Sequence, residues 1–99
     1  MMLEQAMNLL GLAQRANRLV TGESFVLGAI RDHSAKLVFV AQDASANTHK
    51  KFTDKSSFYK IPLVDTLTTS QLSHAIGAKR SLIAVCDAGF ATKLLKLLT

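Results

Sequence analysis

Apolar residues recur along the chain with two different spacings, and the switch from one to the other predicts helices alternating with strands. Near the N-terminus they stand three or four positions apart, which predicts a helix from about Leu3 to Arg15. The same spacing predicts a second helix from Gly22 or Glu23 to about Asp32. A third helix follows the turn at "DASANTHKKF", with Phe52 and Tyr59 as its apolar anchors.

Two stretches, "AKLVFVAQ" and "SLIAVCDAG", are almost continuously apolar and rich in β-branched residues, the pattern of strands covered on both faces. We expect the strands at Lys36 to Ala41 and Leu82 to Cys86 to be neighbours in one sheet, with the first of them central. "RLVTG" and "IPLVD" predict shorter strands. Pro62 fits the edge or the first position of its strand, because proline cannot donate a hydrogen bond to a neighbouring strand.

Residues typical of helix ends support these boundaries. Thr21 is the expected N-cap of the second helix, because its hydroxyl can accept from a free amide of the first turn. Thr68 and Gln71 stand three apart as a capping box, and Gly77 suits the left-handed position that ends a helix. Asp87 is the expected cap of the last helix. Because strands and helices alternate, we expect an α/β fold with a largely parallel sheet between two helical layers.

Composition adds that the chain can fold unaided. It has 99 residues, of which 48% are hydrophobic, enough for one small domain with its own core. The single cysteine, Cys86, is expected in a buried strand as a small apolar residue. Because one thiol cannot form a disulfide framework, we expect a reducing compartment and a cytoplasmic protein. The N-terminus lacks the pattern of a signal peptide, and no stretch has the length of a membrane span.

The net charge is compatible with a polyanionic partner, and the candidate residues do not indicate catalysis. Twelve Lys and Arg against seven Asp and Glu give a net charge of +5, which suits a polyanionic partner, although solubility explains surface lysines equally well. His33, His49 and His74 lack neighbours at metal-ligand spacing, and Gly22 with Gly28 does not make a dinucleotide fingerprint. We therefore expect no enzyme, no metal and no cofactor.

Three segments in register, "LLGLAQRANRLVTGE", "KLVFVAQDASANTHKK" and "LSHAIGAKRSLIAVCDAGFA", resemble the YlxQ-like bacterial members of the ribosomal protein L7Ae/L30e family. The resemblance covers nearly the whole chain. It implies a three-layer α/β/α sandwich around a mixed, four-stranded sheet. It also implies binding of structured RNA, typically at kink-turns, where sheared G·A pairs lie beside a sharp bend.

The resemblance also implies where RNA would bind. Gly22 matches a family glycine at the start of the second helix, where a missing side chain lets the backbone approach RNA; relief of a tight turn is the alternative explanation. RNA-binding relatives usually carry Asn, Glu and Lys where this chain has Ser24, Phe25 and Gly28, while Glu23 offers a carboxylate nearby. These changes put kink-turn specificity in question.

Two further segments correspond to the family's RNA face. Ser45 and His49 match positions that flank an extruded nucleotide, and His49 can either stack on a base or be a surface histidine with no role. Ala78, Lys79 and Arg80 match the loop that closes over the bend, with Arg80 as the best cationic contact. The distal lysines of "HKKFTDK" are expected to form a solvated helix face, and Ser73, where the family usually has glycine, is expected to affect packing rather than ligand binding.

The leading hypothesis is therefore one domain, residues 1–99, that binds structured RNA without catalysis, plausibly ribosomal RNA or another RNA of the translation machinery. Ribosomal or translation-factor proteins are further candidate partners, no membrane is involved, and a monomer is expected. The chief rival is a protein-interaction module of the same fold that has lost kink-turn specificity. An RNA-recognition domain detached from a modifying enzyme is a weaker third hypothesis.

Overall fold

The computed structural model describes residues 2–99, which form five helices and four strands in alternation. Their order along the chain is α1 (Met2–Arg15), β1 (Leu19–Thr21), α2 (Glu23–Arg31), β2 (Leu37–Val40), α3 (Ala46–Phe58), β3 (Leu63–Val64), α4 (Thr69–Ile76), β4 (Leu82–Val85) and α5 (Ala88–Leu98). This is the predicted order of elements. Within the described residues, no helix has both the length and the apolar character that a membrane crossing requires.

The four strands form one mixed sheet in the order β1-β4-β2-β3. β4 runs antiparallel to both β1 and β2, and only β2 and β3 pair in parallel. The mixed sheet implied by the family resemblance is therefore confirmed. The largely parallel pairing expected from the alternation of strands and helices is wrong, because alternation does not encode strand order, and β4 enters antiparallel between two strands that share a direction.

The two apolar strands pair with each other at the centre of the sheet, as predicted. β2 and β4 pair from Leu37 with Val85 to Val40 with Leu82, and all residues of both strands are buried. Alternate side chains of β2 enter different cores: Leu37 and Phe39 face one side and Val38 faces the other. A layer of helices covers each face, which explains why neither strand shows a polar alternation.

Three helices form one of the two layers and two helices form the other. α1, α4 and α5 pack on the face that contains Phe39, with Leu10, Leu72 and Leu94 fully buried there. α2 and α3 cover the opposite face, where Phe52 and Ile30 are fully buried. Because β1 and β2 share a direction, α2 and α3, which each follow one of them, begin at the same edge of the sheet.

Three of the predicted helix ends are confirmed. Thr68 and Gln71 form a capping box, Gly77 ends α4 with a φ of 76°, and the carboxylate of Asp87 accepts from the amide of Phe90 at 2.9 Å. Thr21 is not the N-cap of α2, because it lies in β1, paired with Ile83 of β4. Gly22 takes the N-cap position instead.

Cys86 also departs from its prediction. It follows the last residue of β4 and is only partly buried, against the cluster beneath α2 and α3. Its backbone amide donates to the carbonyl of Arg18 at 2.8 Å, which continues the antiparallel pairing of β1 with β4 one residue beyond the end of β4. Partial burial raises the pKa of the Cys86 thiol, which favours the neutral form.

Candidate nucleic-acid interface

Three separate segments meet in a cleft of about 200 Å³ at the edge of the sheet where α2 and α3 begin. The segments are the start of α2, the first turn of α3, and the loop that connects α4 to β4. The lining residues are Gly22, Glu23, Thr48, Lys79, Arg80, Ser81 and Leu82. Four of these, Gly22, Glu23, Lys79 and Arg80, are among the residues that the sequence singles out.

Gly22 shapes the start of α2 through its backbone. Its φ of 90° and ψ of 152° lie in a region that side-chain-bearing residues rarely occupy. A Cβ added there would meet no atom within 4 Å, so the backbone conformation, rather than crowding, requires glycine. Among residues 2–99, no side chain caps this helix, which leaves the amides of its first turn open at the cleft.

Arg80 is held in the cleft by a set of hydrogen bonds. Its Nε donates to Oγ1 of Thr21 at 3.0 Å, and its Nη1 donates to the carbonyl of Lys79 at 2.7 Å. Oγ of Ser73 accepts from the Arg80 amide at 3.0 Å, and the same hydroxyl donates to the Arg80 carbonyl at 3.3 Å. Ser73 therefore fixes the loop that carries the cation, a role that its prediction as a packing residue missed.

An ion pair borders the cleft. Nζ of Lys51 lies 2.7 Å from Oε1 of Glu23, and both side chains are about half exposed. The Glu23 carboxylate also stands in the first turn of α2, where the helix dipole favours a negative charge. The sequence predicts only a solvated face for the distal lysines of α3, because nothing in it indicates that Lys51 meets Glu23, 28 positions away.

The first turn of α3 contributes Thr48 to the cleft, rather than either residue predicted there. Ser45 is the N-cap of α3: its Oγ accepts from the Thr48 amide at 3.2 Å and donates to Oγ1 of Thr48 at 2.9 Å. His49 is partly buried, with Nε2 3.1 Å from the carboxylate of Asp65. Its Nδ1 lies 3.5 Å from Oγ1 of Thr53, so partners on two sides fix the orientation of the ring.

Asp43 ties the loop before α3 to the start of α4. Its carboxylate accepts from the hydroxyl of Thr69 at 2.7 Å and from the Thr69 amide at 2.8 Å. The hydrogen bond from the Thr69 hydroxyl has the larger effect and that from the Thr69 amide the smaller, and together they hold the pKa of the Asp43 carboxyl below its ordinary value. The bonds connect the segment that carries Ser45 to the helix that carries Ser73.

The profile of the ribosomal protein L7Ae/L30e/S12e/Gadd45 family matches residues 4–95 of this chain. The chain belongs to this family.

Among the residues that the structure describes, no group of three or more His, Cys, Asp or Glu side chains is arranged to hold a metal ion.

Two relatives carry the name RNA-binding protein YlxQ. The protein from Enterococcus faecium is 45% identical over 95 residues, which are 96% of this chain and 92% of the relative. The protein from Bacillus subtilis (strain 168) is 48% identical over 91 residues, 91% of each chain. This L7Ae-family chain thus spans nearly the full length of both relatives.

Two solved structures share the fold. A Bacillus halodurans C protein described as of unknown function has a TM-score of 0.92 and 41% identity, covering 95% of this chain and 96% of that one. A Giardia lamblia 15.5kD RNA binding protein has a TM-score of 0.81 over 97% of this chain and 84% of its own. Its identity is 15%, so it supports the fold alone.

The remaining predicted site residues of this L7Ae-family chain lie beside the cleft rather than in its lining. Ser24 and Phe25 are exposed on the first turn of α2, and the Phe25 side chain is 74% exposed. Gly28 is exposed one turn further along α2, and a Cβ added there would meet no atom within 4 Å. Ala78 is partly buried in the α4–β4 loop. Ser24, Phe25 and Gly28 are thus all exposed to solvent.

Proposed function

We propose that this chain binds structured RNA without catalysing a reaction, and that the cleft between α2, α3 and the α4–β4 loop is its contact surface. One observation carries the proposal. An uncapped helix start at Gly22 and the cations Lys79 and Arg80, which are far apart in sequence, border the same cleft. Open amides at a helix N-terminus and a guanidinium are groups that phosphates and base acceptors bind.

The proposed contacts follow from this geometry. Arg80 can fork a phosphate or stack on a base, and Lys79 adds a second positive charge. The His49 ring, held by Asp65 and Thr53, can stack on an unpaired base next to the Ser45 turn. The RNA-binding names of the two 45–48% identical relatives support the proposal that this chain binds RNA.

We extend the proposal to a single-domain, monomeric, cytoplasmic protein that acts on ribosomal RNA or another RNA of the translation machinery, with ribosomal or translation-factor proteins as further partners.

Specificity for kink-turns is proposed to be weaker than in typical RNA-binding relatives. Phe25 cannot accept a hydrogen bond from a guanine edge, and Gly28 supplies no cation. Ser24 keeps one short hydrogen-bonding group. Since phosphate contacts position RNA and base contacts specify it, losing the base contacts lowers discrimination more than it lowers affinity.

The protein should be titrated against a kink-turn RNA, a hairpin and a plain duplex of equal length at several salt concentrations. We expect measurable binding to at least one structured RNA and a linear fall of log K with log salt, because bound phosphates release counterions. Failure to bind any of the three RNAs at low salt would contradict the proposal.

A protein-interaction module is the second candidate function, and the exposed Phe25 favours it. An aromatic ring that is 74% exposed beside a cleft is a suitable anchor for a protein partner. A mostly apolar protein interface releases few counterions, so its affinity depends only weakly on salt. Salt dependence therefore separates the two functions.

A further inference from the structure

A second surface lies at the opposite ends of α2 and α3 from the cleft. Phe58, the last residue of α3, is 78% exposed. Its ring lies edge-to-face with that of Tyr59, with centroids 5.0 Å apart, and Tyr59 in turn contacts the ring of His33 at 5.5 Å. We call Phe58, Tyr59 and His33 the distal aromatic patch. The Tyr59 ring, itself in contact with His33, supports Phe58 from one side, and most of the Phe58 side chain stays open to solvent.

A depression of about 410 Å³ lies beside the distal aromatic patch, and its charged lining is mainly basic. The lining residues are Lys51, Asp54, Lys55, Phe58 and Tyr59. The one carboxylate among them, that of Asp54, is neutralised by Lys50, whose Nζ lies 3.2 Å away.

Two cations near the patch are free to meet a ligand. Within residues 2–99, neither Lys55 nor Lys60 takes part in an ion pair. The carbonyls of Lys55, Ser56 and Ser57 at the end of α3 accept from the amides of Tyr59, Ile61 and Lys60. These helix-end carbonyls are therefore occupied and do not present free acceptors to an approaching phosphate.

The surface is continuous with the cleft along α3. Thr48 lines the cleft, and Phe58 ends the same helix ten residues later, a rise of about 15 Å. Lys51 lies between them: it lines the distal depression and pairs with Glu23 of the cleft. A single RNA can therefore contact both surfaces.

Resting on the proposed function, we infer that an unpaired nucleotide flanking the structured RNA stacks on Phe58 while Lys55 and Lys60 contact its phosphates. An exposed ring beside unpaired lysines is the combination that single-stranded nucleic acid binds, by stacking and by charge. The exposed residues nearest to Phe58 in the sequence, Ser57 and Lys60, are polar, unlike the apolar centre of a protein interface.

The test compares RNAs that differ only in a tail. Of the kink-turn, hairpin and duplex, the RNA that the protein binds best is prepared blunt, with about eight unpaired adenosines at its 5′ end, and with the same tail at its 3′ end. Eight nucleotides at about 3.4 Å each exceed the distance between the surfaces. We expect one of the two tails to strengthen binding about fivefold or more. A 2-aminopurine in that tail should lose fluorescence on binding.

Variants at Phe58 separate stacking from apolar contact. Phe58→Ala and Phe58→Leu should both abolish the gain from the tail and leave affinity for the blunt RNA unchanged, whereas Phe58→Trp should retain the gain. Leu12→Ala, at an apolar side chain on α1 that is 50% exposed, is the matched control and should keep the gain. Because Phe58 is exposed, all variants should show the parent's thermal unfolding.

Each other outcome is decisive. Equal affinity for blunt and tailed RNAs, or a gain that survives in Phe58→Ala, overturns the inference and leaves the proposed function intact. Retention of the gain in Phe58→Leu shows apolar docking and also overturns it. If the parent protein binds none of the RNAs, the proposed function and this inference fall together.

Discussion

Gly22 shows how one residue can serve both folding and binding. Its φ of 90° and ψ of 152° cost a side-chain-bearing residue about 1–3 kcal/mol, although a Cβ would meet nothing within 4 Å. Both explanations of this glycine, a turn requirement and a close approach of RNA, therefore remain compatible with its position. Stability and affinity must be measured on the same variants to separate them.

The first prediction concerns Gly22→Ala and Gly22→Leu. Both should lower the free energy of unfolding by about 1–3 kcal/mol, because the backbone strain is similar for the two side chains. RNA affinity, measured below the unfolding temperature, should fall further for leucine than for alanine because the larger side chain reaches into the cleft. The matched control is Gly28→Ala, which lies inside α2 with free space for its Cβ and should stabilise the protein by about 0.5–1 kcal/mol. Unchanged RNA affinity in a folded Gly22→Leu protein would assign this glycine to the turn alone.

The second prediction restores a cation at Gly28. Gly28→Lys should strengthen binding to a kink-turn by about 1–2 kcal/mol, since an exposed position on α2 would gain a contact with phosphate or base. Gly28→Gln is the control, because it gives a similar gain in helix propensity without charge. Isothermal titration of both variants checks this. Equal affinities for lysine and glutamine would show that this face of α2 does not reach the RNA.

At the scale of elements, the α4–β4 loop depends on a hydroxyl from the helix before it. Ser73 bonds to both the amide and the carbonyl of Arg80 across seven positions of sequence. Pinning the backbone in this way reduces the entropy that Arg80 loses when it binds a ligand. We therefore expect Ser73 to affect RNA binding although it does not line the cleft.

The third prediction is that Ser73→Ala costs about 1 kcal/mol of stability, the usual contribution of a hydrogen bond, and weakens RNA binding severalfold. Ser70→Ala, at an exposed serine on the same helix, is the control and should change neither quantity. Urea unfolding and RNA titration measure the two effects. An unaffected RNA affinity would show that the loop reaches its bound form without Ser73.

The fourth prediction uses the pH dependence of the link between Asp43 and Thr69. The folded-state pKa of Asp43 is lowered, so its stabilising effect is fully present above the ordinary carboxyl pKa of 3.8 and is lost as the pH falls through the folded-state value. Asp43→Asn should therefore be less stable than the parent at pH 7, and this difference should shrink towards about pH 2. Urea midpoints across this range test it, and a difference that is independent of pH would exclude the carboxylate charge as its source.

At the scale of the whole molecule, charge near the cleft should matter more than total charge. The net charge of +5 is spread over both helical layers, and only Lys79 and Arg80 supply cations to the cleft lining in the described chain. The fifth prediction is that replacing both with alanine weakens RNA binding and flattens the slope of log K against log salt by about one unit per lost phosphate contact.

The control for the double variant is Lys93→Ala with Lys96→Ala on α5, in the opposite helical layer. This control also removes two positive charges, from exposed positions away from the cleft lining. Its salt slope should stay close to that of the parent protein. If both double variants flatten the slope equally, RNA binding depends on overall charge and the cleft is not its site.

The elements and most of their ends could be predicted from the sequence, because they depend on local interactions. Apolar spacing together with residues typical of helix ends predicted all nine elements in order. The capping box of Thr68 and Gln71, the glycine Gly77 and the cap Asp87 marked helix ends that the structure confirms. The prediction of Thr21 as the N-cap of α2 was wrong, because Thr21 belongs to β1 and pairs there with Ile83 of β4. This pairing competes with capping.

How these elements lie against one another depends on contacts between distant parts of the chain. The antiparallel insertion of β4 between β1 and β2, the pairing of Glu23 with Lys51 and the support of Arg80 by Thr21 all join residues far apart in the chain. Such contacts depend on strand order and direction, which the alternation of helices and strands does not encode. The sequence and its family resemblance therefore predicted candidate residues at the cleft. The bonds of Ser73 to Arg80 and of Lys51 to Glu23, and the place of Thr48 in the cleft lining, became visible only in the tertiary structure.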